Sequence, residues 1–169
     1  FEGELIVLLG PSGSGKSTFL NILGGLDRPT EGRVLWEERD VTGLRVQDRG
    51  VAMVYQQFIN YPTLTVYENI ASPLRQAGVG KAEIERKVRQ TAEMLHIEAF
   101  LQKHPLELSG GQQQRTAMAR ALVKDADLVL FDDECPLISP KKFIQILRSN
   151  PRTEHIPVII MHGQETPDD

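Results

Sequence analysis

A chain of 169 residues, 40% hydrophobic and 25% charged, has the composition of one ordinary globular domain, which excludes a disordered or low-complexity protein. No apolar run approaches the roughly 20 residues that a membrane-crossing helix needs, and the N-terminus lacks the basic-then-apolar order of a signal peptide, so the chain reads as soluble and cytosolic. A net charge of -4 argues against nucleic acid as a partner, and the single cysteine, Cys135, excludes an internal disulfide and reads as an inert core thiol.

Residues 1–4 lead straight into the apolar run Leu5 to Leu9, LIVLL, as though an element preceded them. That run stops at Gly10-Pro11 and predicts a strand buried on both faces of a parallel sheet. A helix over 16–23 should follow, ending on the pair Gly24-Gly25, which suits a left-handed C-cap. Residues 33–36 and 51–55 are further strand candidates, and the polar loop EERDVTGLRVQDRG between them follows neither period. From 66 to 106 the pattern is helical. In KAEIERKVRQTAEMLH the residues Ile84, Val88, Ala92 and Leu95 form an apolar stripe, and Glu83 with Lys87 and Glu85 with Arg89 are spaced as i,i+4 pairs on the outer face. A helix over 112–123, a buried strand over 128–131, a helix over 140–148 and a strand over 156–160 complete the series. Alternating strands and helices predict an α/β parallel sheet flanked by helices, with 66–107 as a helical insertion.

The stretch GPSGSGKST comprises Gly10, Pro11, Ser12, Gly13, Ser14, Gly15, Lys16, Ser17 and Thr18, and fits G-x-x-x-x-G-K-[ST] between a strand and a helix. Its glycines allow backbone N–H groups to turn inward, and the following helix presents about half a positive charge at its N-terminus, so the loop is a phosphate cradle. Lys16 then reaches β- and γ-phosphates and Ser17 offers a hydroxyl to Mg²⁺. Small-molecule kinases, GTPases and transport ATPases all share this loop.

Three later segments narrow the class: Gln56 with the following QFINYPTLTVYENI, the stretch LSGGQQQR, and the apolar strand that ends on Asp132. In this order after a phosphate loop they closely resemble the ATPase subunits of ABC transporters, and around Gln56 those of importers for carbohydrates or glycerol-type solutes. The resemblance implies a P-loop NTPase-like sheet with a core from 1–65 and 108–132, and a helical subdomain from 66–107 that carries the signature. It implies ATP and Mg²⁺ as cofactors, with Ser17, Gln56 and Asp132 at the metal. Leu108, Ser109, Gly110, Gly111 and Gln112 would close over ATP held by a second ATPase subunit in a head-to-tail dimer. Residues 61–70 correspond to the contact with a membrane transport subunit, so the chain would lie at the inner face of the membrane; a core role for Tyr61 stays open. The aromatic that stacks on adenine would precede Phe1.

After Asp132 the pattern changes. The family has Asp, Glu, Pro, where the Glu is a general base; here Asp133 holds that position and Glu134 comes one place later. Asp133 is a methylene shorter, or the strand slips by one residue and Asp133 and Glu134 take the two roles. The family's next loop carries an aspartate at the dimer contact, whereas CPLISPKK has no acid, and His162 follows IPVIIM near the place of a switch histidine. Residues 125–169 are also similar to part of a response-regulator receiver domain, with Asp132 as phosphoacceptor, Pro136 four places on, Phe143, Ile144, Ile146 and Leu147 packing a helix, and IPVII as the next strand. The receiver's acidic pair, its Ser/Thr and its lysine are missing. Three readings follow: an ABC-type ATP-binding module, a phosphoaccepting signalling module, and a recombined or engineered chimera of both families with little or no turnover.

Overall fold

The computed structural model describes residues 3–11, 13–36, 38–54, 60–132 and 139–163. The apolar runs of the sequence become four parallel strands, β1 (Leu5–Gly10), β4 (Val51–Val54), β5 (Leu128–Asp132) and β6 (Val158–Gly163), in the order β1-β6-β5-β4. A small antiparallel hairpin pairs β2 (Leu35–Trp36), within the strand candidate over 33–36, with β3 (Arg39–Asp40), which lies in the stretch read as a loop. The helices are α1 (Lys16–Gly24), α2 (Val66–Gln76), α3 (Lys81–Met94), α4 (Gly110–Leu122) and α5 (Pro140–Arg148).

Strand β5 is the apolar centre of the sheet: Leu128 to Phe131 are buried, and both of its neighbours are strands. Alternation sends Leu128 and Leu130 to the α1 face, where they pack with Leu20 and Met161, and Val129 and Phe131 to the opposite face with Phe143, Leu147, Val158 and Ile160. The Phe131 and Phe143 rings stack with centroids 4.5 Å apart and planes 21° from parallel. Residues 139–163 therefore complete the sheet and its lower layer, and Arg148 ties them to the start of the chain by donating to the carbonyls of Gly3, Glu154 and Ile156.

The expectation of burial on both faces fails for β1. Leu5, Ile6, Val7 and Leu9 are 44%, 41%, 48% and 59% exposed. Among the described residues β1 pairs only with β6 and stands at the sheet edge. An apolar run specifies a strand, but its burial depends on what packs around it, which a local pattern does not contain.

Helix α1 ends as its sequence requires: Gly25 takes φ 82° and its N–H donates to the Asn21 and Ile22 carbonyls. Helices α2 and α3 lie within 66–107, with Ile84, Val88, Ala92 and Leu95 all buried along the stripe. Glu85 meets Arg89 at 2.5 Å as spaced, whereas Glu83 pairs with Arg86, and Lys87 turns instead to Asp125 at 2.6 Å. Asp125 also accepts from Arg152 at 2.9 Å, so one carboxylate bridges α3 to the segment after α5; these hydrogen bonds, Lys87 first, hold its pKa below the usual carboxylate range. Within α2, Pro73 lacks an N–H, and the Asn69 carbonyl it would have served accepts from the Ser72 hydroxyl at 2.9 Å.

Thr65 opens α2 with a reciprocal cap: its side chain accepts from the Glu68 N–H, and the Glu68 carboxylate accepts from the Thr65 N–H. Thr65→Ala is expected to lower stability by about 1 kcal/mol, read as a shift of the urea midpoint. The Thr65 N–H and hydroxyl hold the Glu68 pKa below its ordinary value. This contribution is present above the pKa of an unfolded glutamate and is lost as pH falls through the lowered one. The Thr65→Ala difference should shrink in acid accordingly.

Candidate nucleotide site

The register brings the C-terminal ends of three strands to one level: Gly10 stands opposite Gly163, Leu9 opposite His162, and Asp132 opposite Met161. Outside the carboxyl ends of parallel strands is where α/β sheets place ligands. The loop after β1 turns through Gly13 at φ 81° and Gly15 at φ 88°, conformations that glycine adopts without strain, and no atom lies within 4 Å of where a Cβ would stand on either. Lys16 folds back across the loop, its Nζ donating to the Gly10 and Pro11 carbonyls at 2.6 and 2.7 Å. Ser17 and Thr18 are exposed in the first turn of α1, so their hydroxyls and the helix N-terminus face solvent where an anion can approach.

Asp132 belongs by alternation to the α1 face of the sheet, beside the helix that carries Lys16 and Ser17, and His162 to the opposite face, with Leu9. The expected strand over 156–160 starts two residues later and runs further, so His162 lies inside β6 and does not follow it. Ladder pairing with Leu9 and Gly10 draws His162 and Gly163 into the strand, while Ile156 packs into the core from outside it. Ser12, Gln56, Asp133 and Glu134 lie outside the described residues, as do Cys135 and Pro136.

The second anion-binding geometry is the start of α4, two residues earlier than the expected 112. Ser109 caps it: Gln112 N–H donates to the Ser109 Oγ at 3.4 Å, and Gln112 Oε1 accepts from the Ser109 N–H at 2.9 Å. Leu108 is buried and anchors the cap, whereas Ser109 and Gly110 are exposed. Among the described residues no hydrogen bond joins this cap to the phosphate loop. The fold thus presents two separate helix N-termini suited to phosphate.

A family model described as ABC transporter matches residues 1–135. The chain belongs to the ABC transporter family. It is 43% identical over 145 residues to the sn-glycerol-3-phosphate import ATP-binding protein UgpC of Escherichia coli K12, and equally to that of Salmonella typhimurium, matching 86% of this chain in each case. The chain spans 41% of the length of these relatives. Among solved structures it is similar to the dimeric ATP-binding cassette MJ0796 in a post-hydrolysis state bound to ADP and Pi, with a TM-score of 0.82, 34% identity, and coverage of 97% of this chain and 76% of that one. A second dimeric structure of MJ0796, described as a bacterial ABC transporter cassette, gives a TM-score of 0.80 and 36% identity over 96% of this chain and 76% of that one. Coverage of 97% of this chain carries the structural likeness into residues 139–163. The fold class expected from the sequence, a P-loop NTPase-like parallel sheet flanked by helices, is the one observed.

Two functional contacts escaped the sequence reading. Arg49, 6% exposed, donates to the carbonyls of Ile22, Leu23, Thr42 and Leu44, closing the C-terminal end of the phosphate-loop helix. Arg120 lies over the Tyr61 ring at 4.1 Å and donates to its hydroxyl at 2.7 Å, on the rim of a groove of about 350 Å³ between β4, α2 and α4. Ile22 and Leu23 lie 27 and 26 positions from Arg49, and Tyr61 lies 59 from Arg120, so no spacing rule announces either contact. Among the described residues no helix is long and apolar enough to cross a membrane.

Proposed function

We propose that this chain is the ATP-binding module of an importer, in which two copies clasp Mg-ATP head to tail and the resulting dimerisation drives transport. The observation that carries this reading is the pair of separate phosphate-type helix N-termini, one after β1 and one at Ser109, in a cassette whose solved relatives are dimers. The names of the UgpC relatives support an import role and a glycerol-phosphate type of solute.

The residues present fit Mg-ATP. Open space at Gly13 and Gly15 leaves the loop amides accessible to phosphate oxygens, and Lys16 can exchange two carbonyl acceptors for them. Mg²⁺ is commonly held by one or two protein groups together with substrate phosphates, which suits Ser17, Gln56 and Asp132 in a chain with no cluster of three His, Cys, Asp or Glu among the described residues. When bound, Mg²⁺ neutralises charge on the phosphates. Asp133 or Glu134 supplies the general base and His162 the switch contact, while Leu108, Ser109, Gly110, Gly111 and Gln112 receive the nucleotide of the partner. General-base catalysis is worth about 10²- to 10⁴-fold, so the altered stretch after Asp132 leaves binding intact and makes turnover slow. The core over 1–65 and 108–132 and the subdomain over 66–107 divide the labour. The Tyr61–Arg120 groove receives the membrane transport subunit, which holds the module at the inner face of the membrane.

The test is a titration with Mg-ATP beside incubation with acetyl phosphate. Saturable binding is expected, with its Mg²⁺ dependence reduced in Asp132→Asn, and no mass increase at Asp132 from the phosphodonor. An Asp132 adduct without nucleotide binding would favour the signalling reading of the receiver-like tail instead. Binding with no ATP-driven dimer would favour the chimera.

A further inference from the structure

Beside the signature cap lies a cavity of about 290 Å³ whose wall includes His96, Ser109, Gly111, Gln114, Arg115 and Lys142. Among the described residues its lining is basic on one side only: an arginine, a lysine and a histidine contribute, and no carboxylate does. Elsewhere on this surface cations are spent on acids, as with Arg86 on Glu83, Arg89 on Glu85, and Lys87 and Arg152 on Asp125. Lys142 is exposed on α5, and its ammonium has no carboxylate partner among the described residues. Arg115 uses one nitrogen on the Leu95 carbonyl at 3.2 Å and keeps its other donors.

Two kinds of unused neutral donor join these charges. Gly110 and Gly111 stand in the first turn of the 13-residue α4, where backbone N–H groups have no partner within the helix. Gln114, 1% exposed, also lines the cavity, and its Nε2 is a buried donor without a partner among the described residues. Leaving a buried donor unsatisfied is unfavourable, and an acceptor-rich ligand would satisfy it. Donors and positive charge with no acid among the described lining residues describe a site for a multiply charged oxyanion.

We propose that Lys142, carried by α5, works with Arg115 and His96 to bind the phosphate chain of a nucleotide held by a second copy of this chain. The inference rests on the reading of Ser109 to Gln112 as the surface that meets a partner's ATP, and extends it to a residue that no match to the signature includes. It gives the C-terminal segment a second task beyond completing the sheet. In the stretch CPLISPKK, where the resemblance leads one to expect an acid at the dimer contact, this chain brings lysines. The dimer it forms is therefore held more by charge on phosphate, and it weakens more steeply with salt.

The experiment has two arms. In the Lys16→Ala chain, whose own loop is impaired, inorganic tripolyphosphate is titrated while the amide signals of residues 109–112 and 96 are followed by NMR. Shifts at those amides are expected, with binding about threefold to tenfold weaker in Lys16→Ala/Lys142→Gln and restored by Lys142→Arg. In the second arm, ATP-driven dimerisation of the otherwise unmodified chain is followed by sedimentation against salt, and Lys142→Gln should flatten the dependence. Tripolyphosphate that leaves those amides unmoved, or a Lys142→Gln chain matching the parent in both arms, would overturn the proposal while leaving Lys16-dependent ATP binding intact. Loss of ATP binding by the unmodified chain would instead remove the importer reading itself.

Discussion

Lys16→Ala is expected to weaken Mg-ATP binding about 10- to 100-fold, the worth of one hydrogen bond to a charged group at about 1.5–3 kcal/mol. The geometry makes this substitution a clean probe. Lys16 is only half-buried, and its ammonium bonds lie within the loop, to the Gly10 and Pro11 carbonyls and to the Ser14 hydroxyl at 3.4 Å, so no core contact is lost. Thermal or urea unfolding should accordingly move by no more than about 0.5 kcal/mol. Lys16→Arg should fail almost as badly, because a planar guanidinium cannot fill the place of a compact ammonium in a tight loop. Calorimetric titration of the three chains with Mg-ATP decides the matter, and equal affinities would end the reading of residues 10–18 as a phosphate cradle.

What was legible in the sequence was whatever is fixed by a short span of chain. Within residues 10–18 the glycine spacing sets the backbone, and Gly13 and Gly15 take the positive φ angles that the motif needs. The Ser109 cap with Gln112 three residues on is equally local, as is the stripe from Ile84 to Leu95. What was not legible depends on distant partners. Lys87 sits four residues from Glu83 yet pairs with Asp125, 38 positions away, because the fold brings that carboxylate to α3. Arg120 finds Tyr61 across 59 positions. Strand β2 was legible, but its pairing with β3 gave no signal because Glu38 takes φ 68° at the turn, where Gly, Asn or Asp would have marked it. The exposure of β1 and the extent of β6 were likewise set by sheet neighbours. As for the candidate site, the phosphate loop and the signature were readable as motifs, while the convergence of Gly10, Asp132 and His162 at one end of the sheet came only from strand order and register.

Phe143→Ala is expected to cost about 3–5 kcal/mol, the range for removing a large aromatic from a packed core. Phe143 and Phe131 are both fully buried, and their stacked rings form the contact between α5 and the central strand. Against a typical domain stability of 5–15 kcal/mol such a loss takes a large fraction, so the urea midpoint should fall sharply while the transition stays single. Gln145→Ala, on the exposed side of the same helix, should change stability by no more than about 0.5 kcal/mol. The comparison bears on how the two ends of the chain cooperate. Strand β6, which follows α5 in the chain, stands in the sheet between β1, which leads into the phosphate loop, and β5, which carries Asp132. If residues 139–163 are one cooperative unit with the rest, Mg-ATP should raise the midpoint of Phe143→Ala by the same increment as that of the parent chain, since a ligand bound to the native state stabilises it by RT ln(1 + [L]/Kd). A second, separate transition in Phe143→Ala, with Mg-ATP shifting only one of the two, would mean that the C-terminal layer folds apart from the nucleotide site, and that the sheet joins two pieces by contact alone.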